Sequence, residues 1–385
     1  MKSIVKILLV ALVFGAYGCA SVTTVDYNDS KMAVFSLNSL KSGTKTIPLS
    51  SLVEGCTFVQ LETKDEAFFK PWFTTVTDKY IGIRQEGSKP YMLFDRSGKF
   101  LCPVGSIGNG PGEYSISLYD DIIDDKNGLI YLAPFAGNKI FVYNTSGHFV
   151  KEFVAPQRLQ KPKMFLSDGI LTVIHMAMKH ENPNNPSTNA ADAIAIQFDV
   201  NTGNVLKQLP PPEHLIVHNF DGEIWNTKNV AGAFDITFTN SDTLYHFDVK
   251  DNRILPYFAM TYDSSEKPYK QYFQLNNDLV FTLVFSKGLV ATDLKGNTSS
   301  WIKVVNDYYG NLPAPTYIIH LRNGYWVHNL QPEQLMGDIE KRLAEGSCTE
   351  NDKQTLNKML STLHEGTNNI VFFGKLKREV NTTVW

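Results

Sequence analysis

The glycine-rich stretch IGNGPGEY, at residues 107–114, is the segment closest to a phosphate-binding loop. A dinucleotide loop needs GxGxxG between a strand and a helix, so that the helix N-terminus meets the pyrophosphate. The following YSISLYDDIIDD shows no amphipathic helix pattern, no Walker-type Gly-Lys-Ser/Thr is present, and Glu113 would repel phosphate. We therefore interpret the loop as structural, with glycines allowing positive φ, Glu113 binding backbone amides and Tyr114 packed between sheets. The residues of this structural loop are Gly108, Gly110, Pro111, Gly112, Glu113 and Tyr114.

The densest acidic segment is DDIIDDKNG, at residues 120–128. An EF-hand-type calcium loop would need an oxygen ligand where Ile123 stands. The pattern favours a strand, DDIID, followed by a turn of Asp-Lys-Asn-Gly. Calcium at this loop is the alternative, and the sequence predicts no other metal and no cofactor.

No motif identifies a catalytic residue. HLIVH places His214 and His218 four residues apart, but on a strand this spacing exceeds about 10 Å, unlike a helical HExxH motif. No GxSxG nucleophile motif and no CxxC or His/Cys zinc cluster is present. With a formal net charge of −3, the chain also lacks the positive surface expected of a nucleic-acid-binding protein.

The first 19 residues have the layout of an export signal. Lys2 and Lys6 precede a short apolar run, and small residues lead to Cys19. This pattern resembles the bacterial lipobox, which implies a signal peptide over residues 1–18 and lipidation of Cys19. The polar, Ser/Thr-rich residues that follow predict a flexible tether over residues 19–45. We expect an exported monomer, anchored to a membrane by its lipid and facing the periplasm or the cell exterior.

Three cysteines remain after Cys19, namely Cys56, Cys102 and Cys348. Because their number is odd, at least one thiol is unpaired. A framework of disulfides therefore does not hold this protein together.

From residue 80 onward the chain consists of short strands joined by turns that contain Gly, Asn or Asp. Five related hairpins begin at residues 94, 143, 198, 247 and 292: FDRSGKF, YNTSGHF, FDVNTGNV, FDVKDNRI and TDLKGNTS. A period of about 40–50 residues is typical of four-stranded propeller blades. We expect the Asp or Asn before each turn to bind its own turn backbone.

A sixth unit comes from residues 317–330 and 368–377, with the second segment as its outer strand. Residues 331–366, between these segments, carry helical spacing of Leu335, Ile339, Leu343, Leu356, Met359, Leu360 and Leu363. This predicts a helical insert that packs on its own blade. A strand within residues 47–62 would join the last blade and close the ring. The predicted fold is an all-β, six-bladed β-propeller over residues 46–380.

Together these features resemble the six-bladed β-propeller lipoproteins known mainly from Bacteroidetes, whose blades are related to NHL repeats. The resemblance rests on the lipobox, TFVQLE, GNGPGEY, the FDxxGK-type hairpins and the helical insert before NIVFFGKLK. It covers nearly the whole exported chain and is weakest over residues 155–240. It implies the fold and export but no activity, because most members are uncharacterised exported proteins.

We expect a binding module whose site is the central mouth of the ring. Trp72 and Trp225 stand where loops enter the first and fourth units, so they are the predicted ligand-binding residues. The expected ligand is a glycan or a peptide, or the propeller serves a surface uptake system. The alternatives are a hydrolase or lyase that uses loop carboxylates, and a scaffold whose insert docks a protein partner.

Overall fold

The computed structural model of the chain describes residues 22–27, 30–178, 192–218, 222–239, 241–262, 268–382 and 385. The predicted signal segment, Cys19 and most of residues 181–192 lie outside these ranges. The described residues form six large sheets, each built on consecutive antiparallel strands, and one short two-stranded sheet between the first two complete blades. The predicted six-bladed β-propeller is therefore confirmed.

The strands are numbered in chain order. Four strands precede the first complete blade: β1 (Thr23–Tyr27), β2 (Ser30–Ser36), β3 (Thr44–Pro48) and β4 (Thr57–Gln60). Blade one contains β5 (Pro71–Val76), β6 (Tyr80–Gln85), β7 (Tyr91–Asp95) and β8 (Phe100–Val104). The crossing to blade two contains a short parallel pair, β9 (Ser106–Ile107) and β10 (Glu113–Tyr114). Blade two contains β11 (Leu118–Asp124), β12 (Leu129–Pro134), β13 (Ala136–Asn144) and β14 (Phe149–Gln160).

The remaining blades continue in the same way. Blade three contains β15 (Lys163–Ser167), β16 (Ile170–Ile174), β17 (Ala195–Asp199) and β18 (Val205–Leu209). Blade four contains β19 (Ile224–Trp225), β20 (Phe234–Phe238), β21 (Thr243–Asp248) and β22 (Arg253–Thr261). Blade five contains β23 (Lys270–Gln274), β24 (Leu279–Val284), β25 (Gly288–Asp293), β26 (Thr298–Asn306) and β27 (Leu312–Pro313). Blade six contains β28 (Leu321–Arg322), β29 (Tyr325–Leu330) and β30 (Ile370–Lys375).

The first strand of each blade is its inner strand, next to the ring axis. The face where the inner strands begin is called the upper face, and it also carries the loops between second and third strands. The face where the inner strands end is called the lower face. The turns between third and fourth strands lie on this lower face.

The five repeated hairpins join the third and fourth strands of blades one to five, as their spacing predicts. In each turn the side-chain oxygen of the leading Asp or Asn accepts hydrogen bonds from backbone N–H groups of the turn, at 2.6 to 3.1 Å. The residues that do this are Asp95, Asn144, Asp199, Asp248 and Asp293. The repeated Asp or Asn therefore stabilises its own turn and does not indicate a ligand site.

The last blade is closed by a strand from the start of the chain. β4 pairs antiparallel with β30, with Thr57 opposite Phe373 and Gln60 opposite Ile370. β30 is consequently the third strand of blade six and not the outer one, because β4 lies outside it. This pairing confirms the predicted closure and leaves no free edge between the first and last blades.

The structure differs from the flexible tether predicted over residues 19–45. β2 pairs in parallel with β22, the outer strand of blade four, and β3 pairs in parallel with β26 of blade five. Phe35 on β2 is fully buried against Leu244 and Phe258. Ser and Thr suggested a linker, but Thr also suits an edge strand, and buried apolar contact outweighs composition here.

The helical insert lies between β29 and β30, as predicted, and contains α1 (Pro332–Leu343) and α2 (Glu350–Leu360). A capping box begins α2, where the Thr349 side chain accepts from the Asp352 amide at 3.1 Å and the Asp352 side chain binds the Thr349 amide. The apolar stripe is buried in a core shared by blades five and six, and its buried members are Leu335, Ile339, Leu356, Met359 and Leu363. The insert therefore packs on its own blade and also on the neighbouring one.

Phe35→Ala tests whether the N-terminal strands belong to the folded ring. The substitution should lower the free energy of unfolding by about 3–5 kcal/mol, because it empties a buried aromatic site. Val25→Ala, on the exposed side of β1, should change it by less than about 0.5 kcal/mol. Urea unfolding measures both variants, and an equally small effect of both would contradict the docking of β2 on blade four.

Candidate functional site

Side chains from non-adjacent blades meet at the ring axis. The ring centroids of Trp225 in blade four and Phe73 in blade one are 6.4 Å apart, although these blades are opposite each other in a six-membered ring. Arg322 of blade six and Lys228 of blade four both contact Asp120 of blade two. The axis is therefore filled by protein and is not an open channel at this level.

The upper end of the axis, called the mouth, contains both predicted ligand-binding tryptophans. Trp72 at the start of β5 and Trp225 on β19 are each half-buried. The Trp72 ring lies 5.5 Å from Phe73 and 5.9 Å from Tyr119, between centroids, and Phe73 connects it to Trp225. The structure thus brings Trp72 and Trp225 together on one face, although they are 153 positions apart in the sequence.

Two cavities open beside the mouth. One, of about 470 Å³, is lined by Trp72 and Phe135. The other, of about 520 Å³, is lined by Trp225, Phe285 and Tyr317, and the last two side chains are 43% and 48% exposed. Both volumes fall in the range of small-molecule sites, and each wall contains aromatic side chains.

A polar bridge crosses the mouth between blades two, three and four. The Tyr119 hydroxyl donates to one carboxylate oxygen of Glu223, and Lys161 Nζ pairs with the other. Lys161 Nζ also donates to the Gly222 carbonyl at 2.6 Å. The Glu223 side chain remains 32% exposed, so it can accept hydrogen bonds from a ligand.

Beneath the mouth lies a buried group of charged side chains, called the axial cluster: Arg84, Asp120, Asp121, Lys163, Lys228 and Arg322. Arg322 Nη2 lies 2.8 Å from Asp120 Oδ1, and Lys228 Nζ lies 2.8 Å from Asp120 Oδ2. Arg84 Nε lies 2.8 Å from Asp121 Oδ1. Ion pairs that are this well buried hold their partners firmly, because losing one partner leaves a buried charge uncompensated.

The two carboxylates of the axial cluster are held in their ionised form. Burial alone would raise the pKa of Asp120, but the charges of Lys228 and Arg322 outweigh it and lower that pKa. Arg84 and Arg322 likewise outweigh burial and lower the pKa of Asp121. Because both groups stay ionised at neutral pH, neither can donate a proton as a general acid.

Lys163 begins β15 and carries a buried amine that forms no ion pair within the described ranges. Its Nζ donates to the Tyr119 carbonyl at 3.3 Å and lies 4.1 Å from the centre of the Tyr119 ring. The rings of Phe73 and Trp225 are each 5.8 Å away. Burial lowers the pKa of Lys163 well below its ordinary value, and the charge of Asp120 opposes this only in part.

The glycine-rich loop at residues 107–114 is bound by its own side chains. Glu113 accepts a hydrogen bond from the Gly110 amide at 2.8 Å, and a Cβ placed on Gly108 would lie 2.1 Å from the Glu113 carboxylate. The Tyr114 hydroxyl donates to the Val104 carbonyl at 2.8 Å and accepts from the Tyr91 amide at 2.9 Å. These contacts link blades one and two, and no helix follows the loop in the described residues.

The acidic segment forms the strand and turn that its pattern favours. Asp120 to Asp124 lie on β11, and Asp124 Oδ1 accepts from the amides of Lys126 and Asn127 at 3.1 and 3.2 Å. Within the described residues, no group of three or more His, Cys, Asp or Glu side chains is arranged to hold a metal ion.

The described histidines are not members of the axial cluster, although the His320 ring lies 6.0 Å from that of Tyr317, between centroids. The expected strand at residues 214–218 is instead a 3-10 turn, Glu213–Leu215, which ends near an isolated bridge at Val217. His320 and His328 stack edge to face at 5.2 Å, and burial lowers the pKa of His320 to about 4. Burial and the nearby His320 lower the pKa of His328 to about 3, so both rings are neutral at neutral pH.

The sequence did not reveal the axial cluster, although a signal was present. A charged residue interrupts an otherwise apolar strand at Arg84 in YIGIRQ and at Asp120–Asp121 before IIDD. Superposing the first and second strands of the repeated units would have shown these charges accumulating near the axis. The three cysteines Cys56, Cys102 and Cys348 are free.

The comparisons with known proteins agree with this architecture. The profile of a family described as a domain of unknown function, DUF4934, matches residues 32–287, which is more than half of the chain. The chain belongs to the DUF4934 family. The comparison with curated proteins gave no match.

Among solved structures, the DUF4934 chain is similar to a presumed exported protein from Bacteroides fragilis. The identity is 17% and the TM-score 0.57, over 86% of this chain and 99% of the other. At this identity the likeness supports the propeller fold and nothing finer. A member of the duf4221 family from Bacteroides vulgatus matches at 12% identity and TM-score 0.43, over 85% and 97% of the two chains. Virginiamycin B lyase from Staphylococcus aureus matches at 14% identity and a TM-score of 0.40, over 64% of this chain and 73% of the other.

Two methionine substitutions distinguish the paired cations of the DUF4934 propeller from Lys163. Arg322→Met should lower the free energy of unfolding by about 3–5 kcal/mol, because it deprives Asp120 of a buried partner. Lys163→Met should leave it unchanged or raise it by up to about 4 kcal/mol, because it removes a buried amine without a carboxylate partner. Urea unfolding of both variants provides the comparison. Equal losses would mean that Lys163 serves as a structural counter-charge of Asp120.

Proposed function

We propose that this protein is an exported, membrane-tethered binding module that takes a glycan at the mouth of its propeller. The observation that carries the proposal is the pair of half-buried tryptophans, Trp72 and Trp225, each lining a cavity on the same face. The apolar face of a sugar ring packs well on such an aromatic surface. The partly exposed carboxylate of Glu223, held by Lys161, offers an acceptor for sugar hydroxyls at the same mouth.

The charged groups favour binding over hydrolysis. A glycoside hydrolase needs a carboxylic acid whose pKa is raised, so that it can protonate the leaving group. The carboxylates at the axis, Asp120 and Asp121, have lowered pKa values and are committed to ion pairs. The insert offers little support for a scaffold, because its apolar stripe is buried on blades five and six. A role as accessory of a surface uptake system would use the same binding site.

A ligand screen by thermal shift tests the binding proposal. The protein is purified from residue 20 onward, so that β1 to β4 are retained, and is heated with neutral and acidic oligosaccharides. A ligand at a hundred times its dissociation constant should stabilise the fold by about 2.7 kcal/mol. Trp72→Ala and Trp225→Ala should weaken binding by about tenfold or more.

Leu206→Ala is the control for the tryptophan variants, because Leu206 is an exposed apolar residue on the outer strand of blade three. It should bind as tightly as the unchanged protein. If a sugar binds equally well to all variants, the mouth is not its binding site. A sugar that is cleaved during incubation would replace the binding module with an enzyme.

The proposed anchor is the lipid on Cys19. In the described part of the chain, no helix is both long and apolar enough to cross a bilayer. Cys19→Ser should move the protein from the membrane fraction to the soluble fraction of the producing cell, because the acyl chains need the thiol. Cys102→Ser, which changes a free cysteine of blade one, should stay in the membrane fraction. Retention of the Cys19→Ser protein in the membrane would contradict lipid anchoring.

A further inference from the structure

The axial cluster has more cations than carboxylates. Its four basic side chains, Arg84, Lys163, Lys228 and Arg322, face two acids, Asp120 and Asp121, which is an excess of two positive charges when all are ionised. Neighbouring acids do not offset this excess. Glu223 is paired with Lys161, and Asp235 accepts from the Thr227 and Lys228 amides at 2.9 and 2.7 Å without an ion pair to the cluster in the described residues.

Pairing within the cluster leaves out Lys163. The oxygens of Asp120 are occupied by Arg322, by Lys228 and by the Met164 amide, which donates at 2.8 Å. Those of Asp121 face Arg84 and the Tyr91 hydroxyl. A buried ammonium group normally requires a carboxylate or several acceptors, and Lys163 has the Tyr119 carbonyl and three aromatic rings.

Other buried donors at the same place also lack an acceptor. Arg84 Nη2, Arg322 Nε and Trp225 Nε1 have no hydrogen-bond partner in the part of the chain that the structure describes. Arg84 and Arg322 are 1% and 2% exposed. The guanidinium groups of Arg84 and Arg322 both lie against the Phe73 ring, and the acceptor Asp121 Oδ1 beside them is also without a hydrogen-bond partner among the described residues. Because an unsatisfied buried donor is costly, these donors would be stabilised by an acceptor that a ligand brings.

We infer that the glycan bound at the mouth is a uronic-acid-type sugar, and that Lys163 pairs with its carboxylate. The inference rests on the proposed glycan binding and specifies its ligand. Trp225 lines the 520 Å³ cavity, and its ring centre lies 5.8 Å from the Nζ of Lys163, which is 2% exposed. A carboxylate of a sugar packed on the indole reaches this amine when the Lys163 side chain moves toward the cavity. The flexible four-carbon stem of lysine lets the amine move toward the incoming carboxylate.

The negative charge of Glu223 favours a sugar with one carboxylate over a polyanion. Its carboxylate stands at the same mouth and is partly exposed, so it accepts from hydroxyl groups but repels closely spaced negative charges. A sugar with one carboxylate and several hydroxyls satisfies Lys163 and Glu223 together. A polyphosphate would meet Glu223 with unfavourable charge.

The test compares acids with their neutral counterparts by titration calorimetry. Galacturonate, mannuronate and a hyaluronan disaccharide, which carry one carboxylate each, are titrated beside the carboxyl-reduced form of the same sugar. At least one acid should bind about tenfold or more tightly than its reduced form, since a buried charge pair contributes that much or more. Lys163→Met should abolish this preference while folding normally, as judged by its melting temperature. Lys295→Met, which removes an exposed charge from a lower-face turn, should preserve it.

Each other outcome overturns a defined part of the inference. Equal binding of acids and reduced sugars removes the acidic ligand but leaves glycan binding at the mouth intact. A preference that persists in Lys163→Met removes the role of Lys163. Binding of neither kind of sugar ends both this inference and the proposed function. If a peptide with a free C-terminal carboxylate binds instead, and amidation of that carboxylate abolishes the binding, the ligand is a peptide and not a sugar.

Discussion

Asp120 is the carboxylate on which the centre of the ring depends. It binds Arg322 of blade six, Lys228 of blade four and the Met164 amide of blade three, while its own strand belongs to blade two. Because these groups are buried, water screens the attraction between them only weakly. Loss of one partner would leave a buried charge uncompensated. Four of the six blades are thereby held at fixed distances from the axis. The width of the mouth above them follows from the reach of these side chains.

The charges and the aromatic rings at the axis form one packed unit. The guanidinium carbon of Arg84 lies 4.2 Å from the centre of the Phe73 ring, and that of Arg322 lies 5.1 Å from it. Cations stabilise the faces of aromatic rings, so Phe73 is held from below by the same groups that bind the aspartates. Trp72 and Trp225 rest against Phe73 from above. The aromatic surface of the mouth is therefore supported by buried charged side chains and not by loops alone.

Features of local origin were predictable from the sequence, and features made by distant residues were not. The outer hairpins are local, because Asp95 or Asn144 binds the backbone only a few residues away, and their repetition therefore predicted the blades. The docking of β2 depends on Phe35 meeting Phe258, and composition alone suggested a tether. The axial pairs join residues more than 100 positions apart, as with Lys228 and Asp120. The location of Trp72 and Trp225 on one face could be predicted, because their place near the start of a unit is a local property.

The docked N-terminal strands limit how far the ring can move from an anchoring point. The Val22 amide binds Asn297, in the turn between β25 and β26 at the lower, outer rim of blade five. Three peptide units join residue 19 to residue 22, and they span at most about 11 Å. A lipid on Cys19 would therefore hold this rim close to the bilayer surface. The tryptophans of the mouth lie on the upper face, on the other side of the ring from this rim.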